Sequence, residues 1–244
     1  MIKLYNKSEI GFAILWIIIY IFGTSVTDSI SAIIGIPKIV TLVFYLALTV
    51  FSLSLLNKNG LLKKYGICKT NIKPSKFLYF IPIPVMISSN LWYDVEINSK
   101  VYEILINVLL MLCVGYLEEL IFRGFLFKAM AKDNVKSAII VSSVTFGIGH
   151  IINLFNGSGM SLVANLCQIV SAVVFGFLFV VIFYRGKTLL PCIVTHSGIN
   201  AFGVLVNEAD ITPQKHIVVS MVLVILAMSY TLILLKTLPQ SEKA

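Results

Sequence analysis

The stretch VYEILINVLLMLCVGYLEELIFRGFLFKAM, residues 101–130, decides what kind of fold this chain adopts. From Val101 to Leu117 it carries a single charge, Glu103, and is apolar on every helical face. A helix needs about 20 mostly apolar residues to cross the hydrocarbon core of a bilayer, and this run supplies them. It then places Glu118, Glu119 and Arg123 within six residues, at a depth where lipid would otherwise surround them. Ionisable groups inside a membrane are expensive and mark function. The run thus predicts both a membrane span and a polar site inside it.

Composition points the same way. Of 244 residues, 58% are hydrophobic and only 12% are charged, against about 25% charged in a soluble domain. Working outward from residues 101–130, hydropathy and charge predict eight spans, over 10–35, 37–57, 77–94, 101–130, 135–154, 160–184, 188–206 and 216–236. The expected fold class is all-α, a polytopic helical membrane protein of about eight transmembrane helices around a polar intramembrane cavity. It is expected to form one integral-membrane domain over 1–244, with its functional core over 101–206. The third span is the weakest pattern, because Pro82 and Pro84 interrupt it and proline removes a helical hydrogen bond. The first is too long for a signal peptide and has no A-x-A cleavage site, so it reads as a retained helix.

The net charge of +8 does not point to nucleic acid, because the lysines sit between apolar runs and form no basic stripe. Placed on the eight spans, they separate by side. Lys3, Lys7, the group from Lys58 to Lys76, Arg123 to Lys136, Arg185, Lys187, Lys236 and Lys243 fall on one side. Lys38, Lys100 and Lys215 fall on the other. Cytoplasmic loops favour Lys and Arg, so both termini are expected in the cytoplasm of a plasma membrane. Seventeen of the 19 basic residues are lysine, a composition that suits an AT-rich bacterial genome. Cys68, Cys113, Cys167 and Cys192 form no C-x-x-C pair and read as buried thiols, not disulfide or zinc ligands.

The remaining intramembrane polar residues lie on two other spans: Phe146-Gly-Ile-Gly-His150 and His196-Ser-Gly-Ile-Asn200. Glu119 and Arg123 are four apart, share a helix face and can pair. Glu118 points about 100° away and needs a partner from another helix. His196 and Asn200 stack on one face. By helical rise, Glu118 lies roughly 15 Å and His150 roughly 21 Å from the lysine-rich ends of their spans, with His196 at roughly 14 Å and Asn200 at roughly 20 Å. All four can occupy one layer, expected to be reached from the cytoplasmic side.

A carboxylate and a histidine around one water form a general-base arrangement, here Glu118 and His150. His196 and Asn200 could donate to the oxygen of a tetrahedral intermediate. The other use of such a set is a zinc or other divalent metal site on Glu118, His150 and His196; Asn200 argues against it, amides being uncommon zinc ligands. H-E-x-x-H and G-x-G-D signatures are missing, and Asn156-Gly-Ser-Gly159 reads as a turn, not a serine site.

The three segments resemble the motifs of the CAAX protease and bacteriocin-processing (CPBP, or Abi) family of intramembrane proteases. Its patterns are E-E-x-x-x-R, F-x-x-x-H and H-x-x-x-N/D. All three match in order at Glu118-Glu119-Leu-Ile-Phe-Arg123, at Phe146 to His150 and at His196 to Asn200. The resemblance implies eight helices around a cavity open toward the cytoplasm. It implies Glu118 as the catalytic carboxylate, His150 as its water-holding partner, and His196 and Asn200 as oxyanion stabilisers. Glu119 and Arg123 are then supporting residues, and Phe146 packs beneath the site. It implies a peptide or membrane-protein substrate, contact with membrane lipids, no nucleic acid, and no required cofactor, with glutamate chemistry in place of a metal. Bacterial peptide maturation, signalling-peptide processing or bacteriocin immunity is the role that composition favours. A non-catalytic scaffold or immunity protein and a CAAX-type prenyl-protein protease are the competing expectations.

Overall fold

A computed structural model describes residues 1–93, 95, 100–154, 160–206 and 211–240. The Asn156-Gly-Ser-Gly159 turn, residue 94 and Lys243 lie outside them. The helices are α1 (Ile2–Lys7), α2 (Glu9–Ile34), α3 (Ile39–Lys58), α4 (Pro82–Ile87), α5 (Val101–Met130), α6 (Val135–Gly149), α7 (Leu162–Gly186), α8 (Leu190–Gly203) and α9 (Pro213–Thr237). No strand occurs among the described residues, and one isolated antiparallel bridge joins Val95 to Val206.

Helix ends follow local chemistry. Ser8, Asn134, Ser161 and Thr212 each accept a hydrogen bond from the backbone N–H three residues on, which satisfies a donor that the first turn leaves free. Gly35 ends α2 in the left-handed conformation, with φ of 79°. Once started, six helices are long and apolar enough to span a membrane: α2, α3, α5, α6 with its 3₁₀ extension to Leu154, α7 and α9. Their outer faces stay apolar; Ile33 is 85% exposed and Phe22 67%. So large an apolar outside suits lipid and not water.

Packing sets the site's walls. α5 lies against α3 and α8, α7 lies against α6 and α9, and α2 crosses α3 and the second half of α5. One buried cluster gathers around Phe179, Phe183, Leu189 and Leu234, and another around Trp16, Leu117 and Phe125.

Two of the eight expected spans are not membrane-length helices. Residues 77–94 do not form one rod. The chain runs through 3₁₀ turns at Pro74–Phe80, then α4, then 3₁₀ turns at Ser88–Trp92. Pro82 and Pro84 stand in the first turn of α4, where a missing N–H costs nothing. Just before them Leu78, Tyr79 and Phe80 take positive φ of 49°, 52° and 60° and reverse the backbone. The loosened segment is tied to α9, where the Tyr230 hydroxyl donates to the Phe77 carbonyl at 2.9 Å and the Thr237 hydroxyl to the Lys76 carbonyl at 2.6 Å. The span expected over 188–206 is the 14-residue helix α8, about 21 Å long, shorter than the ~30 Å hydrocarbon core.

The left-handed residues offer a test. At exposed Tyr79, with φ of 52°, a β-branched side chain aggravates the clash that glycine removes. Tyr79→Gly is expected to melt above Tyr79→Val in detergent, by the equivalent of about 1–2 kcal/mol. Equal melting points would refute the strained turn.

Candidate active site

The first motif sits where α5 changes its winding. Val101–Glu118 is α-helical and Glu119–Phe127 is π-helical, with every residue of the π segment buried. Short π segments in long helices are frequent at functional sites. Here the change falls between the two glutamates.

Glu119 and Arg123 are both fully buried and pair at 3.0 Å between Oε1 and Nη1. The same Glu119 oxygen lies 2.9 Å from His196 Nδ1 on α8. Glu119 joined to a cation is an ionised acceptor, so Nδ1 carries a proton and donates to it. The other imidazole nitrogen, Nε2, faces Glu118 Oε2 at 3.6 Å. His196 therefore stands between the two carboxylates, bonded to Glu119 and turned toward Glu118.

Glu118 does find its partner on another helix, as its orientation requires, but the partner is neutral. The Tyr20 hydroxyl on α2 donates to Glu118 Oε1 at 2.6 Å, and the Tyr20 ring stacks on Tyr45 with centroids 5.2 Å apart. Glu118 Oε2 has no hydrogen-bond partner among the described residues.

Phe146 joins the three motifs. It is 5% exposed, and the Arg123 guanidinium lies 3.9 Å from its ring centroid. Its ring meets His150 and His196 edge-on, with centroids at 5.3 and 5.5 Å. The guanidinium thus gains a π face in a place without water. His150 opens the 3₁₀ turn after α6, and its carbonyl accepts from Asn165 Nδ2 at 2.8 Å.

Close approach of α5 and α8 makes this possible. A Cβ at Gly115 would stand 2.5 Å from the Ser197 backbone nitrogen and 2.7 Å from its Cα. Ser197 in turn donates to the Leu112 carbonyl at 3.1 Å. With a side chain at 115, α8 would have to withdraw and His196 would lose Glu119.

Glu118, Phe146, His150, His196 and Asn200 all line one cavity of about 640 Å³. Glu119 and Arg123 lie behind it. Among the hydrogen bonds of the described residues none joins Glu118 to His150, although both line the cavity. Among the described residues no three His, Cys, Asp or Glu side chains converge as a metal-binding set. Sequence reasoning missed Tyr20, Asn90, Asn107 and Gln168, which either hold Glu118 or line the cavity. Each is a neutral polar residue in an apolar run, a signal shared by many structural positions.

From Glu118 and His196 the cavity runs to Tyr93, Met160, Val206, Ile211 and His216. These lie at the helix ends that carry few lysines.

A bundle of membrane-length helices enclosing paired glutamates and histidines defines a polytopic membrane protein with a titratable intramembrane site. Comparison with known families narrows that class. Residues 100–202, a segment containing all three motifs, match the family model described as type II CAAX prenyl endopeptidase Rce1-like. Over that segment the chain is similar to CAAX-type prenyl endopeptidases. Neither the curated proteins nor the solved structures compared with it match the chain.

Two stability tests follow. Gly115→Ala is expected to cost about 1–3 kcal/mol through overpacking, read as a lower melting point. Adding Ser197→Ala should not restore it, because the closest backbone atoms remain. Arg123→Met leaves Glu119 buried without its cation, at about 3–5 kcal/mol. Adding Glu119→Gln should recover part of that loss, and a double variant as unstable as Arg123→Met would contradict the pairing.

Proposed function

We propose that this chain is an intramembrane endopeptidase that hydrolyses a peptide bond with water activated by Glu118. The observation that carries the reading is the state of Glu118. One oxygen is fixed by Tyr20; the other is buried, accepts no hydrogen bond among the described residues, lies 3.6 Å from His196 Nε2, and is set in a cavity shared with His150, His196 and Asn200. A general base has to be held still and yet keep one oxygen free for the proton it takes.

In this mechanism Glu118 Oε2 removes a proton from water while His150 orients it. The oxygen attacks the peptide carbonyl carbon, and the carbonyl π pair moves onto oxygen. Asn200 Nδ2 and His196 stabilise that oxyanion. Since His196 Nδ1–H is committed to Glu119, Nε2 donates only when the ring is an imidazolium. Glu119, fixed by Arg123, is therefore a positioning residue that sets the ring's orientation. When the C–N bond breaks, the proton held by Glu118 passes to the leaving amine. The donor set suits this glutamate chemistry, and no step is routed through a metal or other cofactor.

The substrate is proposed to be a peptide or a membrane-associated protein processed in a bacterial plasma membrane, in peptide maturation, signalling-peptide processing or bacteriocin immunity. The lysine-rich basic composition favours this over trimming of prenylated tails.

Quantitative peptidomics of membrane and secreted fractions tests the reading, with wild type, Glu118→Gln and His150→Ala compared at equal membrane abundance. A mature peptide is expected to vanish in both variants while its precursor accumulates. On an isolated substrate Glu118→Gln should slow cleavage about a thousand-fold, with the melting point little changed and wild-type activity persisting in EDTA. A wild-type peptide pattern in Glu118→Gln would remove Glu118 from catalysis.

A further inference from the structure

We infer that the site is entered from the extracytoplasmic face, so that its substrate is an extended peptide segment on that side of the membrane and not a cytoplasmic tail. The inference rests on the hydrolytic reading of the site for the word substrate; the facing of the cavity stands on separate observations.

The first is the shape of the cavity. Its inner end is at Glu118, Phe179 and His196, and its rim is at Tyr93, Met160, Val206, Ile211 and His216. The rim residues adjoin the end of the Ser88–Trp92 turns, the starts of α7 and α9 and the end of α8. All of these helix ends are on one side of the bundle.

The second is the seal on the other side. Behind Glu118 and His196 lie Glu119 and Arg123, both with no exposure, and then Phe127, Leu189 and Cys192, also with none, and Phe183 at 2%. A peptide cannot pass a close-packed layer of this kind without displacing the Glu119–Arg123 pair.

The third is charge. The sequence at the rim-side ends and their connecting segments carries Lys38, Lys100 and Lys215 against Asp28, Asp94, Glu96, Glu103, Glu208 and Asp210. Apart from the Glu119–Arg123 pair and Glu118, all the other basic residues belong to the opposite ends, against only Glu9, Asp133 and Glu242. The connecting segments are short, the regime in which Lys and Arg bias sets orientation. The lysine-rich ends therefore face the cytoplasm and the rim faces away from it. Phe146 and Phe179 at the inner end offer an apolar side chain a place beside the cleaved bond.

The test is labelling of intact cells that make the full chain, using a membrane-impermeant maleimide and peptide mass spectrometry to locate the label. Ile211→Cys reports the rim, Lys63→Cys the exposed lysine-rich side, and each is compared before and after permeabilisation. The expected result is full labelling of Ile211→Cys in intact cells, with no gain on permeabilisation, and no labelling of Lys63→Cys until the membrane is opened. The reverse pattern, or labelling of both in intact cells, overturns the proposal. Repeating the labelling in Glu118→Gln separates the two readings. An outward rim with no Glu118-dependent cleavage sinks the hydrolytic reading alone, whereas Glu118-dependent cleavage with an inward rim sinks this one alone.

Discussion

The carboxylate of Glu119 is the point on which the rest of the site depends. It is fully buried, and one of its oxygens serves both Arg123 on its own helix and His196 on α8. A lone carboxylate there would carry a desolvation cost of several kcal/mol, and so would a lone guanidinium. Pairing within the helix meets much of that cost locally, and the histidine takes a further share. The consequence is positional. His196 is held at Nδ1, so its other nitrogen is presented to Glu118 at a fixed angle. The aromatic contact with Phe146 extends the same set to the second motif, since that ring covers Arg123 and borders both histidines. Three motifs far apart in sequence thus form one physical unit around a buried charge.

That unit exists only because two backbones come unusually close. Gly115 lets Ser197 of α8 approach α5 to a distance that any Cβ would forbid. Gly147 and Gly176 play a similar part between α6 and α7, where added Cβ atoms would meet Val173 and Ser143 at 2.3–2.9 Å. Small residues at helix contacts are the usual means of association in lipid, where burial of apolar surface drives nothing. In this protein they also set how closely the polar side chains of the three motifs approach one another.

The membrane character of the fold, the three polar segments and the Glu119–Arg123 pair were legible in the sequence, because each rests on local spacing or on the cost of charge in hydrocarbon. What was not legible depends on which helices face each other. Glu119 looked like half of a structural pair, and only the approach of α8 makes it the partner of His196. Glu118 clearly needed a partner from elsewhere, but nothing singled out Tyr20 among the tyrosines of apolar runs. The third and seventh spans failed for another reason. Hydropathy reports that residues 77–94 and 188–206 are apolar, not that they are continuous or long enough to cross. Pro82 and Pro84 hinted at the first break, but the reversal at Leu78–Phe80 has no signature in residue type.

The breaks and the chemistry are connected. The proposed hydrolysis needs room for water beside Glu118, inside a bundle of apolar helices. Non-helical backbone at membrane depth is tolerated where it is buried in protein or lines a wet cavity. The broken segment meets both conditions. Its Ser89, Asn90 and Tyr93 line the cavity, and Asn90 Nδ2 donates to the Ile199 carbonyl at 2.6 Å, fastening the segment to α8. The short α8 ends at Gly203, against that same asparagine. Two elements too irregular or too short to span thus meet beside the site, and the room they leave is the passage to it. The irregularity that broke the pattern of spans is what leaves a cavity beside a glutamate placed in the middle of a hydrophobic helix.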